Sequence, residues 1–261
     1  YKPHLSLERT IQHIDKFNRF IKENDEIYLI KNYEDINYIM TNDKIGVILS
    51  LEGAEAIFDK SALRILYEIG IRMISLTWNQ RNQLADGIGE SAANGGLTIL
   101  GRRIVDEMIK LNIIVDVSHL SLAGFQDIVN MDIPFIASHS NAKEICNHRR
   151  NLDKQQILSI KNRKGLIGIN FAPHFLNSNK MANISDVIRH INYIRGLIGI
   201  DYIVLGTDFD GINKTPVGLE NISKLNNLKS QLLNNNYTFL EVNKIYYKNW
   251  LRFLKKYWQK Y

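Results

Sequence analysis

Short apolar runs, each followed by an amphipathic segment, recur along this chain, and that alternation limits its fold more than any other feature. Ile45–Ser50, Ile71–Leu76, Ile113–Val117, Pro134–Ala137, Leu166–Ile169 and Tyr202–Leu205 read as buried strands. Helical spacing fills the gaps: Ile11, Ile14, Phe17 and Ile21 in a helix starting near Ser6, then a helix from about Ser61 stopped by Gly70. A third starts at Thr98 and carries Ile104, Val105, Met108 and Ile109; Ser121 caps a short one and Asp153 opens another with Ile157 and Ile160. Val187, Ile188, Ile191 and Ile194 mark the next, and Thr238-Phe239-Leu240-Glu241 is a capping box for the last. Strands alternating with helices mean a parallel sheet with helical crossovers. With 261 residues and no Pro- or Ser-rich linker, residues 1–261 read as a single α/β domain, within the size of one barrel.

Composition removes several classes. At 45% hydrophobic and 23% charged residues the chain is ordinary for a globular protein, not a disordered one. No apolar run approaches the roughly 18 residues of a membrane span. A single cysteine, Cys146, rules out an internal disulfide framework and a Cys-rich zinc site, so any metal must be held by His and carboxylates. The net charge of +6 would suit a polyanion, but Lys and Arg are spread along the chain, and only residues 254–261 cluster them with aromatics. A solvated helix face is the commoner explanation there, so no nucleic-acid partner is expected.

The informative residues sit at the ends of the strands. Glu52, Trp78, His119, His139, Asn170 and Asp208 each end or follow one of the six. In a parallel α/β barrel all strand C-termini open on one face, where active sites are built. Two His and a carboxylate are an ordinary ligand set for zinc, and a carboxylate can also bridge two metals that together activate a water. A lone His after a strand is more often a cap or core residue; two in equivalent places on successive strands favour ligation. Glu52 alone would equally cap the next segment, and Asp208 and Asp210 suit a turn. Arg149 and Arg150 could grip a carboxylate, although an Arg pair is commonly just surface. His4, His13, His148, His174 and His190 read as structural or exposed. Gly87-Ile88-Gly89-Glu90 is not a dinucleotide fingerprint, and no Walker loop or nucleophile elbow is present.

Several stretches together resemble the membrane dipeptidase (renal dipeptidase) family of zinc peptidases. They are Ile48-Leu49-Ser50-Leu51-Glu52-Gly53, Leu76-Thr77-Trp78-Asn79 with Leu84-Ala85-Asp86-Gly87, and Gly96-Leu97-Thr98 with Gly101. Val115-Asp116-Val117-Ser118-His119, Ser138-His139-Ser140, Arg149-Arg150-Asn151, residues 206–211 and Asn249-Trp250-Leu251-Arg252 complete the set, which runs from about residue 7 to 254. The resemblance implies a TIM-type (β/α)8 barrel of the metal-dependent hydrolase kind with two zinc ions. It implies Glu52 as the bridging carboxylate, His119 and His139 as the other protein ligands of one zinc, and Asp208 as the acid–base group at the scissile amide. Arg150 would hold the terminal carboxylate of a dipeptide, with Trp78 and Asn170 also at the substrate; some members have a substrate-contacting His where Trp78 stands.

One departure is large. Family members begin with a strand ending in His-x-Asp that supplies the second zinc, and neither that strand nor the next is evident here. The expectation is therefore a barrel whose first two strands are missing and a truncated dipeptidase that keeps the ligands of one Zn2+ and turns over little alone. A metal-dependent hydrolase of another small amide or ester, and a non-catalytic remnant or binding protein, are the competing readings. A dipeptide is the expected partner, a homodimer is left open, and the absence of a signal peptide and of disulfide pairs points to the cytoplasm.

Overall fold

Most of the helices begin where a side chain takes up an orphaned amide of the first turn. Asp59 accepts from the Ala62 amide (2.9 Å), Thr98 from Gly101 (2.9 Å) and Ser121 from Gly124 (3.0 Å). Asp153 accepts from Gln156 (2.9 Å), whose side chain returns the bond to the Asp153 amide (3.0 Å). Thr238 and Glu241 form the same reciprocal box. Such caps are each worth about 1 kcal/mol and place the helix starts where the sequence sets them. Gly70, at φ 129°, ends its helix in a conformation that other residues rarely adopt.

The computed structural model describes residues 5–179 and 181–259. It divides into one compact unit of residues 1–131 and 255–261 and a second of residues 132–254. The first unit contains α1 (Ser6–Glu23), β1 (Ile27–Leu29), α2 (Tyr33–Thr41), β2 (Ile45–Val47), β3 (Leu49–Glu52), α3 (Lys60–Ile69), β4 (Ile71–Ser75), α4 (Ile99–Lys110), β5 (Ile114–Asp116) and α5 (Leu122–Asn130). The second contains α6 (Lys154–Asn162), β6 (Ile167–Ile169), α7 (Pro173–Leu176), α8 (Ile184–Ile198), β7 (Ile203–Leu205), α9 (Leu225–Asn234) and α10 (Phe239–Asn243). Helix α11 (Asn249–Trp258) starts in the second unit and ends in residues of the first.

Every strand pair is parallel. In the first unit β1 pairs with β2, and β3, β4 and β5 form a sheet in that order. In the second, β6 pairs with β7. Ile74, Ile114, Val115, Leu63, Leu66, Ile104 and Met108 are buried in the first unit, and Ile167, Ile169, Val204, Ile157, Ile160, Val187, Ile191 and Ile194 in the second. Each such side chain contributes on the order of 1.5–3 kcal/mol through its removal from water.

Three details differ from the sequence reading. A parallel strand, Ile27–Leu29, precedes Ile45 where none was expected; its three residues are too few for alternation to show. The run from Ile45 to Ser50 is two strands, broken at Ile48: Ile45–Val47 pairs backward with β1 and Leu49–Glu52 forward with β4. Pro134–Ala137 is not a strand: Ile136 and Ala137 lie in isolated bridges, that of Ala137 parallel to Ile167. Pro134 has no amide hydrogen to give, and the Ala137 amide donates to Leu166 (2.9 Å).

The aromatics of the basic tail are anchors. Tyr257 Oη donates to the Ile113 carbonyl (2.9 Å) and Trp258 Nε1 to that of Asn112 (3.2 Å), while Lys255 and Lys256 are exposed. Lys260 and Tyr261, like His4, lie outside the described residues. No described helix is long and apolar enough to cross a membrane.

His190 shows what the buried polar groups do for stability. Its Nδ1 accepts from the Ala142 amide (3.1 Å), so its Nε2 carries the proton toward the Leu176 carbonyl (3.1 Å). That pattern requires the neutral ring, and burial above all pushes its pKa down to about 4. The unfolded chain, with His near 6.5, binds a proton that the folded chain refuses, so stability rises with pH between about 4 and 6.5. Lowering the pH from 7 to 4.5 is expected to cost about 2 kcal/mol at this residue, read as a fall in the urea midpoint. His190→Gln should flatten that slope; an unchanged slope would contradict the assignment.

Candidate functional site

In the first unit Glu52 ends β3 and its carboxylate is half-exposed. The Gly53 amide, at φ 81°, donates to Ser75 (3.1 Å), and the Ala54 amide to Leu76 (3.2 Å), so the chain beyond Glu52 stays tied to the end of β4. His119 follows β5 and is buried. Its Nε2 lies 3.0 Å from Glu52 Oε1 and its Nδ1 2.9 Å from Asn79 Oδ1. The His119 backbone is left-handed, φ 70°, an uncommon state outside glycine. Its carbonyl is held from two sides, by the Ile88 amide (2.7 Å) and Thr77 Oγ1 (3.3 Å). Trp78 is 43% exposed, its ring centroid 6.1 Å from that of His119.

The loop after β4 is held by Asp86. Arg81 pairs with its carboxylate through both Nε and Nη2, and the Gly95 amide donates to it (2.7 Å). The Arg81 hydrogen bond, ahead of every other contribution, keeps the Asp86 carboxyl below the usual range. Beneath His119, Asp116 accepts from Ser75 Oγ (2.6 Å) and the Ser118 amide (3.0 Å), joining the ends of β4 and β5.

In the second unit His139 is half-buried, with Nδ1 2.7 Å from Ser138 Oγ. Its carbonyl accepts from Arg150 Nη2 (3.3 Å). Arg149 and Arg150 part company: Arg149 is exposed, whereas Arg150 is buried, with its guanidinium 5.7 Å from the Phe175 ring centroid. An arginine buried in this way is unlike the surface pair that sequence alone favours. The Arg150 amide donates to His148 Nδ1 (3.1 Å); burial, then His174 and the two arginines, push His148 down to about 4 and keep it neutral as an acceptor. Asn170 is fully buried and donates from Nδ2 to Asp208 Oδ2 (3.1 Å). Asn141 brackets Asn170, accepting from its amide (3.1 Å) and donating to its carbonyl (3.0 Å). Asp208 is itself left-handed, φ 60°.

With this geometry in view, comparison with known proteins is decisive. The family model for membrane dipeptidases, peptidase family M19, matches residues 3–260. This chain belongs to the membrane dipeptidase family. Dipeptidase aclJ of Aspergillus oryzae is 35% identical over 232 residues, covering 86% of this chain and 55% of that protein, so the chain spans about half the length of that curated relative. A crystal structure of dipeptidase AC, a metallopeptidase, is 25% identical with a TM-score of 0.91 over 99% of this chain and 77% of that one. A metallopeptidase from Rhodobacter sphaeroides, liganded with a phosphinate mimic of the dipeptide L-Ala-D-Ala, is 27% identical with a TM-score of 0.86, covering 95% of this chain and 73% of that one. The fold is that of the TIM-type metal-dependent hydrolases.

Within the first unit, then, Glu52 and His119 meet directly with Trp78 nearby, and within the second Asn170 meets Asp208 and Arg150 meets His139. His13 is exposed on α1 and His174 is exposed, as expected of them. Sequence reasoning gave no role to Asn79, Asn141 or Ser138, although each adjoins a strand end or a quoted motif. Their amide and hydroxyl groups carry no signal of their own until a partner is in reach.

The segment bearing His139 depends on two glycines. A Cβ at Gly168 or at Gly206 would run into the Ser138 carbonyl, a backbone atom that cannot swing away. Gly206→Ala is expected to lower stability by about 1–3 kcal/mol through overpacking. Gly196→Ala, in α8 with nothing within 4 Å of the new carbon, should raise it by about 0.4–1 kcal/mol. Denaturant midpoints moving in the same direction for both variants would refute this account of the packing.

Proposed function

We propose that this chain is a zinc-dependent dipeptidase in which Glu52 and His119 hold the metal, with His139 as the further ligand that the family resemblance implies. The observation that carries this reading is the 3.0 Å approach of His119 Nε2 to Glu52 Oε1 in a member of a metallopeptidase family. Two donors bound tetrahedrally to one zinc at ~2.0–2.1 Å lie about 3.3 Å apart, so this spacing fits the group. The other ring nitrogen already has a partner in Asn79, as the imidazole of a metal ligand requires. A zinc bound there would supply Lewis acidity and lower the pKa of a bound water.

The chain's own residues supply the rest of the reading. Arg150, rigid and charged, takes the free carboxylate of the dipeptide, with Asn170 and Trp78 at the substrate. Asp208, held by Asn170 Nδ2, moves the proton to the leaving amine nitrogen. A dipeptide is the proposed substrate class because the Rhodobacter relative was solved with a mimic of one.

Zinc titration of the metal-free protein, run beside hydrolysis of a dipeptide and of the same dipeptide amide, tests the proposal. Zinc-dependent cleavage that strongly favours the free carboxylate is expected. Asp208→Asn should lower kcat by about 10²–10⁴-fold with zinc affinity unchanged. Arg150→Met should act mainly on KM for the dipeptide and little on the amide. Equal rates on dipeptide and amide would point to a hydrolase of other small amides, and zinc-independent behaviour would remove the metal from the account.

A further inference from the structure

A histidine can present Nε2 to a metal only if that nitrogen carries no proton. The proton must then sit on Nδ1, where something has to accept it. At His119 the group facing Nδ1 is Asn79, with Oδ1 at 2.9 Å, while Nε2 faces Glu52. An amide oxygen here selects the required tautomer. Were the Asn79 amide turned to offer Nδ2, it would donate to Nδ1 and leave the proton on Nε2, closing that nitrogen to a metal.

The placement of Asn79 is itself enforced. The Ile88 amide donates to the His119 carbonyl (2.7 Å), and the next amide, Gly89, donates to the Asn79 carbonyl (2.7 Å). Two consecutive peptide units of one short loop therefore set the separation of the histidine and its acceptor. The loop can sit so close only because it lacks side chains: a Cβ on Gly89 would lie 2.5 Å from the Asn79 carbonyl oxygen, and one on Gly87 2.5 Å from the Asn79 carbonyl carbon. This explains a Gly87-Ile88-Gly89 stretch that serves no phosphate.

We propose that Asn79 is a positioning residue for the metal centre, fixing the Nδ1-protonated tautomer and the ring direction of His119, with the Gly87–Gly89 loop as its clamp. The inference rests on the reading of Glu52 and His119 as metal ligands. A neutral acceptor, rather than the carboxylate often found in this role, orients the ring while adding little to its basicity.

The test is the Zn2+ dissociation constant, measured by competition with a chromophoric chelator, for the unaltered chain and for Asn79→Ala, Asn79→Asp and His119→Ala. Loss of about 10–100-fold affinity in Asn79→Ala, with binding kept or tightened in Asn79→Asp, is the expected result. If His119→Ala binds Zn2+ as the unaltered chain does, the metal reading itself fails. If His119→Ala loses binding but Asn79→Ala does not, that reading stands and the role of Asn79 is overturned. Asn79→Asp as weak as Asn79→Ala would equally overturn an acceptor role. Should Asn79→Ala not fold, ring ¹⁵N shifts of the zinc-loaded unaltered chain decide: Nδ1 of His119 protonated supports the proposal, and Nε2 protonated overturns it.

Discussion

Holding His119 at φ 70° costs on the order of 1–2 kcal/mol for a residue with a Cβ, and the surrounding loops are arranged to keep it there. Its carbonyl is gripped by Ile88 and Thr77, and its ring stands between Glu52 and Asn79. An extended backbone at this point would carry the ring along the strand direction; the left-handed turn re-aims it toward the end of β3. Ser75 ties the end of β4 to Asp116, and Asp86, paired with Arg81, accepts at its carbonyl from the Ser121 amide two residues beyond His119. The proposed chemistry depends on this bend, because a ligand must be preorganised to bind a metal tightly without ordering the chain first.

The second unit solves the same problem with amides. Asn170 is fully buried, and each polar atom of its side chain has a partner: Nδ2 donates to Asp208, and Oδ1 accepts from the Ala172 amide (2.6 Å). Asn141 completes its backbone bonds where the short β6 strand has ended. An unsatisfied amide in such a place would cost several kcal/mol, so the network is as much a folding requirement as a device for aiming Asp208. Gly168 and Gly206 let the Ser138 carbonyl approach both strands, which fixes the start of the His139 segment.

The parts of this legible in sequence were those with a period or a type. Apolar runs located β4 to β7, and cap residues located the helix starts at Thr98, Ser121, Asp153 and Thr238, because a hydroxyl or carboxylate three residues ahead of an amide has a local meaning. Glu52 and His119 could be singled out because His and Glu after strands are chemically conspicuous. The strand Ile27–Leu29 was hidden by its length, and Pro134–Ala137 was over-read from its apolar residues alone. Asn79, Asn141 and the Gly87–Gly89 clamp were illegible for another reason: their roles are defined by partners between 8 and 40 residues away, and neither an Asn nor a Gly announces that distance. Arg150 differed from Arg149 only once burial was known.

The central claim is that the side chains of Glu52 and His119 share one metal. Anomalous diffraction at the zinc edge, from crystals of the zinc-loaded chain, tests it most directly. The account expects a single strong peak bonded to a Glu52 carboxylate oxygen and His119 Nε2. A peak away from Glu52, or bonded through Nδ1 of His119, would contradict it.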